Sequence, residues 1–283
     1  MALLASWLCA PAPSAQAPLS RDSVVDRLAQ YAERFGHELQ GIVARERYVQ
    51  TIRATRGRPS LDADALTGQV LEERRLLSSL LLVHEAATPW QLHRDVLAVD
   101  DQPLADREDR LARLFGGPQA GTPAPAVIAD ESARYNLGRF VRNINIPTFP
   151  LIVIHPTRRE RFRFRDRGHA TVGGASVRLL TFEERGDSRT IRGTRGYDVV
   201  LRGSVAVDPL TGDIVRAAIE PRAHRLEPRL VVHFARVAGV ALPVPVRLLE
   251  SYWREGDETY VAGEATYDEF RRYGTDVGVP VVR

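Results

Sequence analysis

The chain has 283 residues, and its apolar content of 44% is enough to form a sizeable core, which excludes a globally disordered protein. Its formal net charge is +3, with 39 basic and 36 acidic residues, so no strongly polyanionic partner is implied. All basic residues are arginine, which excludes Schiff-base, pyridoxal-phosphate and Walker-type lysine chemistry.

The N-terminus has the features of an export signal. Residues 1–17 carry no charge and end in Ala15-Gln16-Ala17, a small-residue pattern typical of signal-peptidase cleavage. We therefore predict a signal peptide over 1–17, a single domain over 18–283 and a periplasmic or secreted location. Cys9 is the sole cysteine, so the predicted mature chain has no disulfide, thiolate metal site or cysteine nucleophile. No later run reaches the roughly 18 apolar residues of a membrane span.

The first half of the chain mixes helices with strands. Residues 22–40 repeat apolar side chains at three- and four-residue steps and predict an amphipathic helix, with Asp22 or Ser23 as its N-cap. Residues 41–54 change to a period of two and predict a strand. One face of this strand carries Ala44, Glu46, Tyr48 and Gln50. Residues 69–86 also predict a long strand, although their Leu, Glu and Arg content fits a helix too. The middle of the chain adds two predicted helices, at 106–115 and 123–137.

Residues 90–104 predict a strand that turns at Asp100-Asp101. The triplet His93-Arg94-Asp95 within it matches the start of a kinase catalytic loop. The chain has no lysine and no glycine-rich loop, so kinase chemistry is excluded. We expect the charged side chains of this strand to point outward into solvent.

Strands dominate the second half of the chain. Residues 203–220 alternate apolar and polar side chains on both sides of a turn at 208–212, where Asp, Pro and Gly have the local preferences that a tight turn needs. After the turn, Val215, Ala217 and Ile219 are predicted on the apolar face. The last two strands are predicted to meet in a two-residue loop at Gly256-Asp257.

This order of elements resembles a known family. The helical middle carries ESARYNLG, NINIPT and HPTRRERFRF, and the following meander carries VDPLTGDIVRA and GEATYDEFRRY. Together they resemble uncharacterised secreted bacterial proteins of acidobacterial type, related in fold to the LolA/LolB lipoprotein carriers and the RseB/MucB-type sensor domain. The resemblance covers residues 22–275. It implies an α+β fold with a strongly curved antiparallel sheet, an unclosed half-barrel, whose concave face receives acyl chains in the carriers.

The segment 143–156, NINIPTFPLIVIHP, is our candidate cover for that concave face, together with the helix at 123–137. It is either a lid over a ligand cavity or a permanent plug that completes the core. Pro147 is predicted at the first position of a short buried helix. The residues expected to line the space are Tyr48, Ile146, Phe149, Phe162, Phe164, Phe182, Tyr252 and Trp253.

No pattern in the sequence predicts catalysis, a cofactor or a metal site. The seven histidines show no metalloprotease spacing, and no Gly-x-Ser-x-Gly elbow occurs. The acidic stretches 62–66 and 100–106 do not match a calcium loop. In the arginine-rich run 158–168, Phe162 and Phe164 are interpreted as core residues, so nucleic acid is not expected, whereas contact with anionic lipid or cell-wall polymer stays open.

The sequence therefore predicts an exported binding or carrier module without catalysis. Its ligand would be hydrophobic, a lipid, an acyl chain or a lipidated peptide, held on the concave face by burial of apolar surface. The alternative is an envelope scaffold or sensor domain with a filled core, which would bind another protein through a sheet edge or through the arginine-rich face.

Overall fold

A computed structural model describes the greater part of the chain. The described residues are 19–60, 65–83, 91–105, 133–138, 142, 144–186, 190–192, 198–222 and 224–272. The predicted signal peptide, the predicted helix at 106–115 and most of the predicted helix at 123–137 lie outside them. Among the described residues, no helix combines the length and apolar character needed to cross a membrane.

Two helices and thirteen strands follow one another along the described chain. The helices are α1 (Arg21–Glu38) and α2 (Phe149–Ile154), with a 3-10 turn at Arg159–Arg161. The strands of the first half are β1 (Ile42–Ala54), β2 (Val70–Val83), β3 (Gln91–Val99) and β4 (Gln102–Pro103). Those of the second half are β5 (Phe162–Val172), β6 (Ala175–Glu184), β7 (Ile191–Arg192), β8 (Asp198–Val199), β9 (Arg202–Val207), β10 (Ile214–Ile219), β11 (Leu226–Ala235), β12 (Val244–Arg254) and β13 (Thr259–Arg272).

Eleven of the strands form one antiparallel sheet in the order β4-β3-β2-β1-β13-β12-β11-β10-β9-β6-β5. The first and last long strands, β1 and β13, are neighbours, so both ends of the described chain meet in the middle of the sheet. Strands β4 and β5 are its two unpaired ends, which leaves the sheet unclosed. The predicted fold class, an α+β protein with a strongly curved antiparallel sheet and helices over the concave face, is confirmed.

Helix α1 packs its apolar stripe on the concave, inner face of the sheet. Its N-cap is Ser20, whose Oγ accepts a hydrogen bond from the Ser23 N–H at 3.2 Å, so the helix begins slightly before the predicted start. Tyr31 is fully buried and donates its hydroxyl to the Pro243 carbonyl at 2.6 Å. The residues of α1 that join the main core are Val24, Leu28, Tyr31, Ala32 and Phe35.

Helix α2 is the short buried helix that the apolar run predicted, but it begins two residues later than expected. Pro147 lies in a turn closed by the hydrogen bond from the Phe149 N–H to the Ile146 carbonyl at 2.9 Å, a place that suits its fixed φ. Thr148 is the N-cap, and Pro150 occupies the first turn of the helix instead.

The predicted hairpin at 203–220 is present as β9 and β10. Asp208 Oδ1 accepts from the Leu210 N–H at 2.8 Å and Gly212 has φ +79°, so both local assignments are confirmed. A register shift at the start of β10 buries Ile214, whereas Val215 stays half-buried, because the bulge places an extra residue before the regular alternation.

Two other turns can be compared with the turns predicted from the sequence. Asp100 and Asp101 have positive φ of 49° and 63°, as two-residue hairpin loops favour, and the predicted turn at these residues lies between β3 and β4. The loop between β12 and β13 is longer than the predicted two residues. The Asp257 N–H donates to the Arg254 carbonyl within the loop, and the Glu255 N–H is held by the Arg225 carbonyl at 2.9 Å, which draws the loop toward its neighbour.

The outer, convex face has a small apolar patch covered by the loop between β1 and β2. Leu66 of this loop packs on Trp253, Tyr260 and Ala262 and on a second group formed by Ala218, Val231 and Leu249. The Tyr260 hydroxyl donates to the Thr67 carbonyl, and Arg58 pairs with Glu227. The loop therefore shields the apolar centre of the outer face from water.

The close contact between α1 and the 208–212 turn generates a first prediction. A Cβ on Gly212 would lie 2.4 Å from the Arg27 carbonyl oxygen, whereas Gly256, which also has a positive φ, has nothing within 4 Å. We expect Gly212→Ala to lower the free energy of unfolding by about 3 kcal/mol, because strain and overpacking add. Gly256→Ala, the matched control, should cost about 1 kcal/mol from strain alone. Urea unfolding measures both, and equal losses would contradict the packing argument.

Candidate functional site

The candidate site is built on a row of three residues that face inward from adjacent strands. Gln50 of β1 pairs with Gly263 of β13, which pairs with Glu250 of β12. A Cβ on Gly263 would lie 2.6 Å from Cε2 of Tyr48 and 2.9 Å from Oε1 of Glu250. The glycine therefore leaves the space in which larger side chains from its neighbours meet.

Part of the middle of the chain lies against this row. This cover segment comprises the described residues 133–138, 142 and 144–148. The Leu137 N–H donates to Oε1 of Gln50 at 2.7 Å, and Nε2 of Gln50 donates to the Tyr135 carbonyl at 3.4 Å. Arg74 of β2 donates to the same carbonyl at 3.4 Å. The backbone of the cover segment is thus attached to the sheet by polar side chains.

Arg142 is the main anchor of the cover segment. Its Nη1 donates to Oε1 of Glu250 at 2.7 Å and to the Tyr48 hydroxyl at 2.9 Å, and its Nη2 donates to Oε1 of Gln50. The Tyr252 hydroxyl donates to the other Glu250 oxygen at 2.9 Å. The Arg142 and Glu250 side chains are both 0% exposed, so their charges are balanced by each other and by neutral hydrogen-bonding groups, away from water.

A second buried ion pair lies next to the first. Arg94 of β3 donates through Nε and Nη2 to the two Glu46 oxygens at 2.6 and 2.9 Å, a bidentate geometry. Its Nη2 also donates to the Asn145 carbonyl of the cover segment at 3.0 Å. The Arg94 guanidinium lies 5.3 Å from the centre of the Tyr48 ring. The two pairs therefore form one polar band across the inner face.

Burial and the neighbouring carboxylates determine the protonation states in this band. Burial raises the pKa of the Tyr48 and Tyr252 hydroxyls well above 10, and the charge of Glu250 raises it further. Burial is the largest single influence on the pKa of Arg142 and lowers it, but Glu250, Tyr48 and Tyr252 together more than offset this, and the pKa is raised. The tyrosines therefore act as neutral donors and Arg142 stays charged.

A small apolar cavity of about 50 Å³ lies at one end of the inner face. Its wall includes Phe35 of α1, Leu80 of β2 and Leu92 of β3, and Pro147 and Thr148 of the cover segment close it. This volume is far below the several hundred Å³ of a pocket for a lipid-sized ligand. In this arrangement the cover segment lies against the sheet and forms part of the cavity wall.

Two hydroxyl groups adjoin the cavity and have no hydrogen-bond partner among the described residues. They belong to Thr148 of the cover segment and to Tyr267 of β13, which are 3% and 5% exposed. Tyr267 is the cross-strand neighbour of Glu46, so the cavity borders the polar band. The apolar wall suits the end of an apolar chain. The two hydroxyl groups could bond to one polar group beside it.

The structure brings seven of the eight predicted lining residues to the inner face. They are Tyr48, Ile146, Phe149, Phe162, Phe164, Phe182 and Tyr252, with Ile146 half-buried against the core. Trp253 instead packs on the outer face, because adjacent residues of a strand point to opposite sides. None of the eight forms part of the wall of the 50 Å³ cavity.

The charged members of the site were not found from the sequence. The expectation that Arg94 points outward was wrong: it is 8% exposed and pairs with Glu46, 48 residues earlier in the chain. Arg142 and Glu250 are 108 residues apart. One sequence feature could have indicated them. The predicted face of β1 places the polar residues Glu46 and Gln50 beside the core residue Tyr48, so partners for them were to be expected inside the fold.

The residues that the structure describes contain no group of three His, Cys, Asp or Glu side chains that could hold a metal ion. The polar band instead pairs each carboxylate with an arginine. Such an arrangement balances buried charge and fastens one segment to another. The polar band therefore attaches the cover segment to the sheet.

Breaking one partner of the Arg142–Glu250 pair should be strongly destabilising. We expect Glu250→Gln to lower the free energy of unfolding by about 3–5 kcal/mol, because it leaves a buried guanidinium without its carboxylate. Adding Arg142→Met removes that charge, so the double variant should recover much of the loss. Urea unfolding followed by circular dichroism measures Glu250→Gln, Arg142→Met and the double variant. The control is Glu264→Gln, whose partly exposed pair with Arg247 should contribute at most about 1 kcal/mol; strictly additive losses would contradict direct pairing.

The buried tyrosines predict a stability loss in alkali. Tyr31, Tyr48, Tyr252 and Tyr267 all have pKa values well above 10 in the folded protein. Above pH 10 the unfolded chain releases these protons and the folded chain keeps them, so stability falls as pH rises, by up to about 1.4 kcal/mol per pH unit for each tyrosine. Urea unfolding between pH 8 and about 11 measures this. Tyr31→Phe should make the slope shallower, whereas tyrosinate absorbance near pH 10 that accounts for all 8 tyrosines of a fully folded protein would show that the buried hydroxyls are accessible.

Comparison with known proteins adds likenesses in fold. No protein-family model and no curated protein matches the sequence. A DUF1329 family protein from Desulfovibrio piger superposes with a TM-score of 0.42 at 13% identity, over 92% of this chain and 94% of the other. A putative outer membrane lipoprotein-sorting protein domain from Vibrio parahaemolyticus gives a TM-score of 0.38 at 9% identity, over 91% and 94%. These scores are too low to place the chain in either family, so its relationship to the lipoprotein carriers stays a prediction.

Proposed function

We propose that this protein is an exported carrier-type module that binds a hydrophobic ligand on the inner face of its sheet. The ligand is a lipid, an acyl chain or a lipidated peptide, and it lies beneath a cover segment that detaches. The module binds by burying apolar surface and not by catalysis. The uncharged first 17 residues, with their Ala-x-Ala end, support export to the cell envelope.

The observation that carries this proposal is the contrast between the cover segment and α2, which follows it directly. The segment is attached through polar bonds of Arg142, the Leu137 N–H and the Asn145 carbonyl to side chains of the sheet. It also buries the apolar side chains of Leu137 and Ile144. Helix α2 is attached by apolar side chains, and Leu151, Val153 and Ile154 are at most 1% exposed and belong to the main core. Because polar bonds make up a larger share of its attachment, we take the cover segment as the part that detaches and α2 as the part that stays in place.

The two kinds of attachment differ in what detachment costs. Exposing apolar side chains costs about 25 cal/mol for each Å² of surface. Hydrogen bonds to the sheet are replaced by bonds to water, at about 0.5–1.5 kcal/mol each. A buried ion pair regains its hydration and contributes little net stability. The cover segment therefore separates from the inner face more easily than α2 does.

The 50 Å³ cavity lies where the cover segment joins α2, at Pro147 and Thr148. An apolar chain end fits there, beside Phe35 and Leu80, with the Tyr267 hydroxyl as a hydrogen-bonding group. A longer ligand needs the space that the cover segment occupies. Ligand binding and release of the segment are therefore coupled.

A disulfide between the cover segment and the sheet tests this coupling. A Cβ on Gly138 would lie 3.9 Å from the Cβ of Val261, within the range that a disulfide requires. We expect Gly138→Cys/Val261→Cys, made in a Cys9→Ser background, to bind dansyl-labelled undecanoic acid when reduced. The oxidised form should bind it at least about tenfold more weakly, with recovery on adding reductant. Comparing both states of one sample controls for the strain of a side chain at φ +81°.

Native mass spectrometry of the unmodified protein, purified from membranes, supplies the second readout. A co-purifying lipid supports the carrier role. Equal binding by the oxidised and reduced forms would show that the cover segment is not the gate. If neither form binds the probe and no lipid co-purifies, the alternative of a scaffold or sensor domain with a filled core takes the place of the carrier.

A further inference from the structure

Strand β5 is the last strand of the sheet and has one edge without a strand partner. It pairs with β6 on one side, and no described residue pairs with its other side. Its outward N–H and C=O groups can therefore accept a further strand. The regular pairing runs from Phe162 to Asp166, and a bulge with Gly168 at φ +85° interrupts it there.

The side chains of β5 divide cleanly between its two faces. Phe162 and Phe164 are 3% and 8% exposed and pack in the core on the inner face. Arg163, Arg165 and Arg167 are exposed on the outer face. Because they alternate along a strand, successive guanidinium groups start about 6.6 Å apart. The edge thus has a row of cations with the period of an extended chain.

The cations of this row are not neutralised by their surroundings. Arg163 and Arg165 make no side-chain hydrogen bond or ion pair with the rest of the described chain, and Arg167 bonds only to the Thr181 hydroxyl. The nearby acids Glu184 and Asp166 are already paired with Arg161 and Arg178.

Of these two acids, Asp166 has the more extensive pairing, because Arg178 contacts both of its oxygens. Hydrogen bonds from Arg178 lower the pKa of Asp166 to about 2, so its charge is committed to that pair at neutral pH. Glu183 is the cross-strand neighbour of Arg163 and is the one carboxylate of β6 on the outer face. The row therefore keeps a net positive charge.

The chemistry of this edge selects among partners. A second copy of the edge would oppose arginine to arginine, which disfavours self-pairing. A membrane surface would be bound through apolar groups beside the cations, but the phenylalanines of β5 are buried. The exposed large apolar residues of the described chain, Val70, Leu71 and Leu210, belong to β2 and to the 208–212 turn.

We infer that the β5 edge is a docking site for an extended acidic peptide segment of another protein. Carboxylates at alternate positions of that segment lie opposite Arg163 and Arg165, and its backbone pairs with the free edge as an additional strand. The bulge limits the pairing to about five residues around Phe162–Asp166. The site lies outside the inner face, so it does not depend on the proposed ligand-carrying function.

Fluorescence anisotropy with labelled peptides and the full-length protein tests this inference. The probe alternates acidic residues with valine. One comparison peptide has the same composition with its acids in a block, and another carries N-methyl groups on alternate residues, which remove strand pairing and keep the charge. We expect binding of the alternating peptide that weakens at least about tenfold with either change.

Charge reversal on the protein gives the matched variants. Arg163→Glu/Arg165→Glu should weaken binding of the alternating acidic peptide by at least about tenfold and create binding of an alternating lysine peptide. The control, Arg56→Glu/Arg271→Glu, has the same net charge, changes two exposed arginines elsewhere and should change affinity about twofold. The gain of lysine-peptide binding cannot come from a misfolded variant.

Three results would overturn the inference. Equal binding of the block peptide or of phosphatidylglycerol vesicles would indicate nonspecific attraction to charge. Equal binding of the N-methylated peptide would exclude strand addition. Equal weakening by the control variant would place the acidic partner elsewhere on the surface.

Discussion

The ion pair between Arg142 and Glu250 holds the middle of the chain on the inner face, and it exists because Gly263 has no side chain between Gln50 and Glu250. A guanidinium is large, and burying it requires space and hydrogen-bond acceptors. The missing Cβ supplies the space, and the strands on either side, β1 and β12, supply acceptors for Nη1 and Nη2, whereas Nε has no hydrogen-bond partner among the described residues. The arrangement of the cover segment depends on this one position in the sheet.

The inner face combines apolar packing with the polar band. Helices α1 and α2 bury apolar side chains against the second half of the sheet, and the 208–212 turn holds α1 through Arg27, which donates to the Pro209 carbonyl at 3.1 Å. The small cavity borders both kinds of surface, because its wall includes Phe35 of α1 and also Tyr267, the cross-strand neighbour of Glu46.

The inner face and the β5 edge offer different chemistry to different partners. The inner face presents apolar walls with a few hydroxyl groups, which suit the proposed hydrophobic ligand. Within the described part of the chain, the edge has no strand partner and has two arginines without an ion pair, which is the chemistry behind the inferred docking of an acidic extended chain. Strand β5 contributes to both surfaces. Phe162 and Phe164 pack in the core on the inner face, and Arg163 and Arg165 of the same strand are exposed on the outer face.

The sequence by itself determined the local features, namely the amphipathic helix α1, the strands and the Asp-Pro-x-Thr-Gly turn, whereas the fold class was predicted from the family resemblance. Each depends on propensities of residues a few positions apart, which a single sequence displays. The tertiary structure alone decided that Arg94 points inward, that Arg142 lies under Glu250 and that the cavity is lined by residues other than the predicted ones. A buried charge is stable only beside its partner, and these partners lie 48 and 108 residues away in the chain, where no local pattern links them.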